Sequence, residues 1–133
     1  MATFILFEQM VPGDATFVPP DPAMGPPLQR SVGDRLIIVD RPLLDQNGNQ
    51  RGSFVLHGTL VRIFSNVPNL DALLSFQASN TITGKGVINT QGVIRFSKIP
   101  GGVTFAIVGG TDDFKKAHGT VTNRAGEFSF RVQ

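Results

Sequence analysis

Few side chains in this sequence could do chemistry. Cysteine is absent, which excludes disulfides, thiolate nucleophiles and Cys-ligated zinc. His57 and His118 lie far apart and have no acidic partner at a telling spacing. They read as surface or rim histidines, and no metal site is expected. Serines and threonines are plentiful, but none sits in a nucleophile elbow. Gly109-Gly110-Thr111-Asp112-Asp113 lacks the Lys-Ser/Thr of a phosphate cradle, and its two aspartates would repel phosphate. What remains is Glu8, closing the apolar run Phe4-Ile5-Leu6-Phe7, and Arg41, shortly after Leu36-Ile37-Ile38-Val39. Desolvation raises a carboxyl pKa and a neighbouring cation opposes that rise. A guanidinium can hold a carboxylate, enolate or carbonyl by charged hydrogen bonds.

The elements that must position these groups are strands. Short β-type runs are separated by turn signals: Thr3 to Val11, Arg35 to Arg41, Ser53 to Phe64, Asp71 to Ser79, Lys85 to Ser97, Val103 to Gly110, Phe114 to Thr122 and Glu127 to Val132. Asp45-Gln46-Asn47-Gly48-Asn49 is a strong turn, because Asn-Gly tolerates positive φ. No stretch keeps helical periodicity, although Asp112 to Ala117 suits one short turn. Some eight strands without a helix fit a barrel or a sandwich. Gly58, Gly86 and Gly92 within strands favour the barrel, since closure needs curvature.

Gly13 to Ser31 holds Pro19, Pro20, Pro22, Pro26 and Pro27, and is read as a stiff, extended loop. It could be a lid over the barrel mouth or a connection draped on the surface. A chain of 133 residues is one domain, 1–133, able to bury about two-thirds of its unfolded surface. Net charge is +2 and no basic run exceeds Lys115-Lys116, so nucleic acid is not an expected partner. The opening segment has no basic n-region and its apolar run stops at Glu8, so neither a signal peptide nor a membrane span is expected. A cytoplasmic location is the default. Eleven Phe with no Tyr or Trp supply aromatic bulk without a polar tip, which suits a dry core or lumen.

Two stretches carry a distinctive pattern. One is Val32-Gly33-Asp34-Arg35-Leu36-Ile37-Ile38-Val39-Asp40-Arg41-Pro42-Leu43-Leu44-Asp45, followed by Gly52 and Gly58. The other is the glycine turn Val108-Gly109-Gly110-Thr111-Asp112-Asp113-Phe114, running on through Lys115-Lys116-Ala117-His118-Gly119-Thr120-Val121. Both resemble the allene oxide cyclase and dirigent-protein superfamily. Val87-Ile88-Asn89-Thr90-Gln91-Gly92 looks like the strand those families place before that turn, and Leu6-Phe7-Glu8-Gln9 resembles the first strand of the cyclases. The resemblance covers most of the chain outside the Pro-rich loop. It implies an all-β fold: an eight-stranded antiparallel barrel of calycin-like shape, commonly a homotrimer, binding apolar or phenolic molecules in its lumen without a metal or organic cofactor.

The departures from that pattern bear on function. Asp112 replaces the last glycine of the turn, and His118 stands where dirigent proteins carry Arg. Leu60 and Met10 stand where plant allene oxide cyclases carry a cysteine and an asparagine. Neither family's reaction is therefore carried over by name.

The resemblance suggests that Glu8 faces inward. Strand alternation then adds Phe4, Leu6 and Met10 to its face. The matching set on the second strand is Ile37, Val39 and Arg41, and on the third it is Leu56, Gly58, Leu60 and Arg62, with Phe76 completing an aromatic wall. Glu8 and Arg41 are the candidate catalytic pair. Phe4, Leu6, Met10, Ile37, Val39, Leu56, Leu60 and Phe76 are the candidate substrate-binding residues. The pair could polarise a substrate carbonyl, or Arg41 could snorkel at the rim and hold Glu8 as a structural ion pair.

A ligand in an eight-stranded lumen needs small residues there, and Gly58, Gly86, Gly92 and Ala106 are candidates. The resemblance, together with the Phe-rich and Tyr-free composition, leads to the expectation of a cofactor-independent cyclase or isomerase that folds a hydrophobic, polyketide-like polyene for concerted ring closure, of the kind a Diels-Alderase performs. A carrier barrel without chemistry and a barrel filled by its own side chains are the other readings. A homo-oligomer, trimer or dimer, would use outward apolar residues such as Val55, Val61 and Ile63.

Overall fold

Alternating apolar residues and tight turns produce nine antiparallel strands in the computed structural model, which describes residues 2–19 and 29–133. They are β1 (Ala2–Glu8), β2 (Ala15–Val18), β3 (Arg35–Leu44), β4 (Gln50–Ser65), β5 (Asp71–Ile82), β6 (Gly86–Arg95), β7 (Val103–Gly110), β8 (Gly119–Arg124) and β9 (Glu127–Val132). The sheet order is β1-β9-β8-β7-β6-β5-β4-β3-β2, and β1 pairs with β3 to close an eight-stranded barrel. That closing pairing is short, Phe7 with Leu44 and Glu8 with Leu43. The extra strand β2 lies along the rest of β3, from Ala15 opposite Ile38 to Val18 opposite Arg35. No helix among the described residues is long and apolar enough to cross a membrane.

Inward positions follow the two-residue period. Leu74, Phe76, Ala78, Asn80 and Ile82 of β5 share one face, and Ile88, Thr90, Gly92 and Ile94 of β6 share the matching one. The described core is built from these, with Leu43, Leu60, Ile107, Val121, Phe128 and Phe130. Gly58 causes no bulge, contrary to the expected bend, and pairs regularly with Leu36 and Phe76. A Cβ there would meet Leu74 Cδ1 at 2.7 Å and Phe76 Cβ at 3.0 Å. The glycine leaves room for those side chains. A Cβ at Gly92 would likewise meet Phe105 Cβ at 2.8 Å.

Irregularity falls elsewhere, and it reverses one expected face. From Ile38 to Arg41 the register advances three residues on β3 and two on β4. That one-residue bulge is accommodated by Asp40 at φ 48°. Upstream of it Leu36 and Ile38 point in, and downstream Arg41 and Leu43 point in. Ile37 and Val39, expected to face the lumen, therefore lie on the opposite face, with Val39 54% exposed. A second bulge between Leu60 and Arg62 turns Arg62 outward, where it is exposed. Met10 is also corrected, because β1 ends at Glu8 and Met10 is 73% exposed.

Other boundaries shift. The Gly13–Ser31 stretch read as a loop begins with β2, while its residues 20–28, on which the lid reading falls, lie outside the described residues. Asp112–Phe114 forms the short turn, as 3-10, and the last hairpin starts at Gly119 instead of Phe114. Asp112 adopts φ 54°, supplying the left-handed position that a glycine would. This turn plants Phe114 in the core beside Phe4, with ring centroids 6.5 Å apart.

Candidate functional site

The bulge that swings Arg41 inward delivers it to two carboxylates. Its Nη1 donates to Glu8 Oε2 at 3.1 Å. Its Nε and Nη2 donate to Asp14 Oδ2 and Oδ1, both at 2.8 Å, in a forked bidentate pair. Arg41 is only 5% exposed, and its guanidinium carbon stands 5.8 Å from the centroid of Phe54. The Arg41 hydrogen bond holds the Asp14 carboxyl below the usual carboxylate range, and Asp14 in turn raises the Arg41 pKa. Glu8 is pinned by its backbone as well, donating from N to the Gly126 carbonyl in the β8–β9 turn at 2.9 Å.

Asp14 was not among the expected site residues. It lies 27 positions from its partner in a segment read as loop, and only the turn-forming Pro12-Gly13-Asp14 run marked it.

A separate site lies within the barrel. Phe54, Leu56, Phe76, Ala78, Asn80, Thr90, Ile94, Phe105, Asn123 and Phe128 line a partly open cavity of about 40 Å³. Phe76 and Phe105 meet edge to face at 5.0 Å, and Phe54 and Phe128 meet at 5.4 Å. Of the expected residues, Leu56 and Phe76 line this cavity. Leu6 and Leu60 are buried in the core without lining it, and Phe4 stacks on Phe130 at 4.8 Å. Glu8 and Arg41 do not line it either, since the Phe54 ring that faces the cavity is the one Arg41 approaches.

Of the small residues expected in the lumen, Gly58 and Gly92 seat Phe76 and Phe105. Ala106 is exposed on the outer face, and Gly86 abuts the Thr111 carbonyl.

The cavity's polar groups went unpredicted, although alternation places each on an inward face. Asn80 donates from Nδ2 to the Ile88 carbonyl at 3.1 Å. Asn123 accepts the Gly126 N–H at 2.9 Å. Thr90 Oγ1, in a residue 1% exposed, has no hydrogen-bond partner among the described residues. All three are uncharged, so the cavity offers hydrogen bonds without an ion. His57 and His118 are both exposed and apart from it.

This geometry can be set beside known proteins. No protein-family model matches the chain, and no curated protein matches it. Its fold is shared with solved barrels. A pyocyanin demethylase matches at a TM-score of 0.73 and 16% identity, over 99% of this chain and 100% of that one. The Diels Alderase AbmU from Streptomyces koyangensis matches at 0.60 and 13% identity, over 98% of this chain and 64% of that one. A nonspecific heme-binding cyclase that catalyses a (4 + 2) cycloaddition during neoabyssomicin biosynthesis matches at 0.63 and 17% identity, over 98% and 63%. The chain thus spans less than two thirds of the length of either cyclase. At these identities the likeness establishes the barrel fold and leaves the chemistry to this chain's own residues.

Proposed function

We propose that this barrel is a cyclase or isomerase that shapes a hydrophobic, unsaturated small molecule for intramolecular ring closure in its lumen, without using a cofactor. The observation that carries the reading is the cavity itself, which among the described residues is walled by four phenylalanines and holds only uncharged polar groups. Such a site suits a reaction whose barrier falls through orientation, with little charge to neutralise. The shared fold with barrels named for (4 + 2) cycloaddition supports it, and so does the resemblance to the allene oxide cyclase and dirigent families.

At about 40 Å³ the cavity has room for little more than water. Substrate entry therefore requires the lining phenylalanine rings, Phe76 and Phe105 among them, to rotate out of the lumen. Glu8 and Arg41 enter this proposal as positioning residues. With Asp14 they brace Phe54 from behind and carry no proton in the reaction.

The test is incubation with candidate polyenes and detection of ring-closed product. Wild type and Glu8→Gln should both turn over, and Ala78→Leu, which fills the lumen, should not. Turnover that survives Ala78→Leu would contradict lumen catalysis. Recovery of every bound candidate unaltered would favour the carrier reading, which the absence of any charged group from the cavity lining also supports.

We further propose that the middle of the outer face of β4–β7 contacts a second copy of the chain. Val55, His57, Gln77, Gln91, Val93 and Val108 are exposed there, and none is an Asp, Glu, Lys or Arg. Two copies could meet on it without burying like charges, as a closed homo-oligomer requires. Sedimentation equilibrium should show a dimer or trimer that Val93→Arg dissociates. A monomeric wild type would overturn this.

A further inference from the structure

Two buried side-chain oxygens have no hydrogen-bond partner among the described residues, Asp34 Oδ1 and Thr90 Oγ1. The Asp34 carboxylate is met at its other oxygen by Ser31 N and Arg30, whereas Thr90 has only the one polar atom in its side chain. Buried hydroxyls are nearly always hydrogen-bonded, because an unpaired one forfeits its bonds to water. Thr90 sits on the inward face of β6, level with Ala78 of β5, and Asn80 is its diagonal neighbour. Its Oγ1 has no described partner, and the residue lines the lumen.

The amides around it are half used. Asn80 spends Nδ2 on the Ile88 carbonyl, and no described donor reaches its Oδ1. Asn123 spends Oδ1 on the Gly126 N–H, and no described acceptor takes its Nδ2. The lumen therefore presents a hydroxyl that can donate or accept, an amide donor and an amide acceptor, against phenylalanine walls. Arg41, whose guanidinium abuts the lumen-lining Phe54, is already held by Glu8 and Asp14.

We propose that Thr90, flanked by Asn80 and Asn123, is the polar seat for one neutral oxygen of the lumen ligand. The ligand class is then a flat, unsaturated ketone, quinone or phenol. A carboxylic acid is disfavoured, because its charge would be buried with no cation among the described lining residues to meet it. The proposal rests on the lumen being the binding site, as proposed above, and adds which chemical group is held there and by what.

Equilibrium dialysis with ultraviolet detection reads binding simply, because a chain without Tyr or Trp absorbs weakly where naphthalenes absorb. Three probes share one shape: 2-acetylnaphthalene, the hydrocarbon 2-isopropenylnaphthalene, and 2-naphthoate. The ketone should bind about three- to tenfold tighter than the hydrocarbon, the worth of one net hydrogen bond, and naphthoate should bind weakest. Thr90→Val should erase the ketone's advantage and leave hydrocarbon binding unchanged, while Thr90→Ser should keep it.

Equal binding of ketone and hydrocarbon to the wild type would overturn the seat, as would a preference that survives Thr90→Val. Tightest binding of naphthoate would overturn the neutral-ligand class. Failure of all three probes to bind would overturn lumen binding itself, a result distinct from loss of the ketone preference alone.

Discussion

The Arg41 cluster and the lumen differ in how completely their polar groups are used. Around Arg41, all three guanidinium nitrogens are bonded to two carboxylates. In the lumen, Thr90 Oγ1 has no partner among the described residues and two amides have spare capacity toward them. On the proposed reading, this contrast assigns the ions, which are spent on one another, to holding the wall, and the uncharged lumen groups to meeting a ligand.

The largest expected effect falls on the cluster. Arg41→Met leaves Glu8 and Asp14 side by side without the cation that both accept from, and should give the largest loss of stability of these variants. Urea unfolding followed by circular dichroism would measure it. A loss below about 1 kcal/mol would mean that the network is not holding the wall, and the contrast would collapse.

Next comes the seat of the lumen rings. Gly92→Ala places a Cβ 2.8 Å from Phe105 Cβ and should cost about 1–3 kcal/mol. Thermal unfolding would show it, and a neutral result would mean that Phe105 yields easily.

The pH dependence is smaller and has a definite sign. Asp14 has a lowered folded pKa, so its contribution is present above the unfolded value of about 3.9 and is lost as pH falls through the folded value. Asp14→Asn should flatten part of the acid limb of the stability curve. The rest should stay, because Arg51 and Arg95 similarly lower Asp45 and Asp71.

The smallest effect should be that of Thr90→Val. Removing an unpaired buried hydroxyl should leave stability within about 1 kcal/mol of wild type, or raise it. A large loss would show that Thr90 has a structural partner, erasing the difference between the two regions.

The sequence carried the barrel well, because alternation, Asn47-Gly48 and strand glycines are local signals. It carried the site unevenly. Pairing of Glu8 with Arg41 was one of the two readings, yet the face assigned to Ile37 and Val39 was reversed. Strict alternation cannot anticipate the extra residue at Asp40, whose bulge restores Arg41 to the interior. Asp14 was invisible for another reason, since a contact 27 positions away leaves no periodic trace. Asn80, Thr90 and Asn123 were legible in principle as polar residues on inward faces. An uncharged polar residue on an inward face reads the same whether its hydrogen bonds are met by the core or left for a ligand, so the sequence does not single them out.

One titration tests the central claim, that the lumen is where a hydrophobic molecule is held, most directly. Adding 2-acetylnaphthalene to methyl-labelled protein and recording NMR shifts compares inside with outside in one experiment. The account predicts saturable shifts at Leu56, Ala78, Thr90 and Ile94, which line the cavity. Shifts confined to Val55, Val93 and Val108 on the outer face would contradict it.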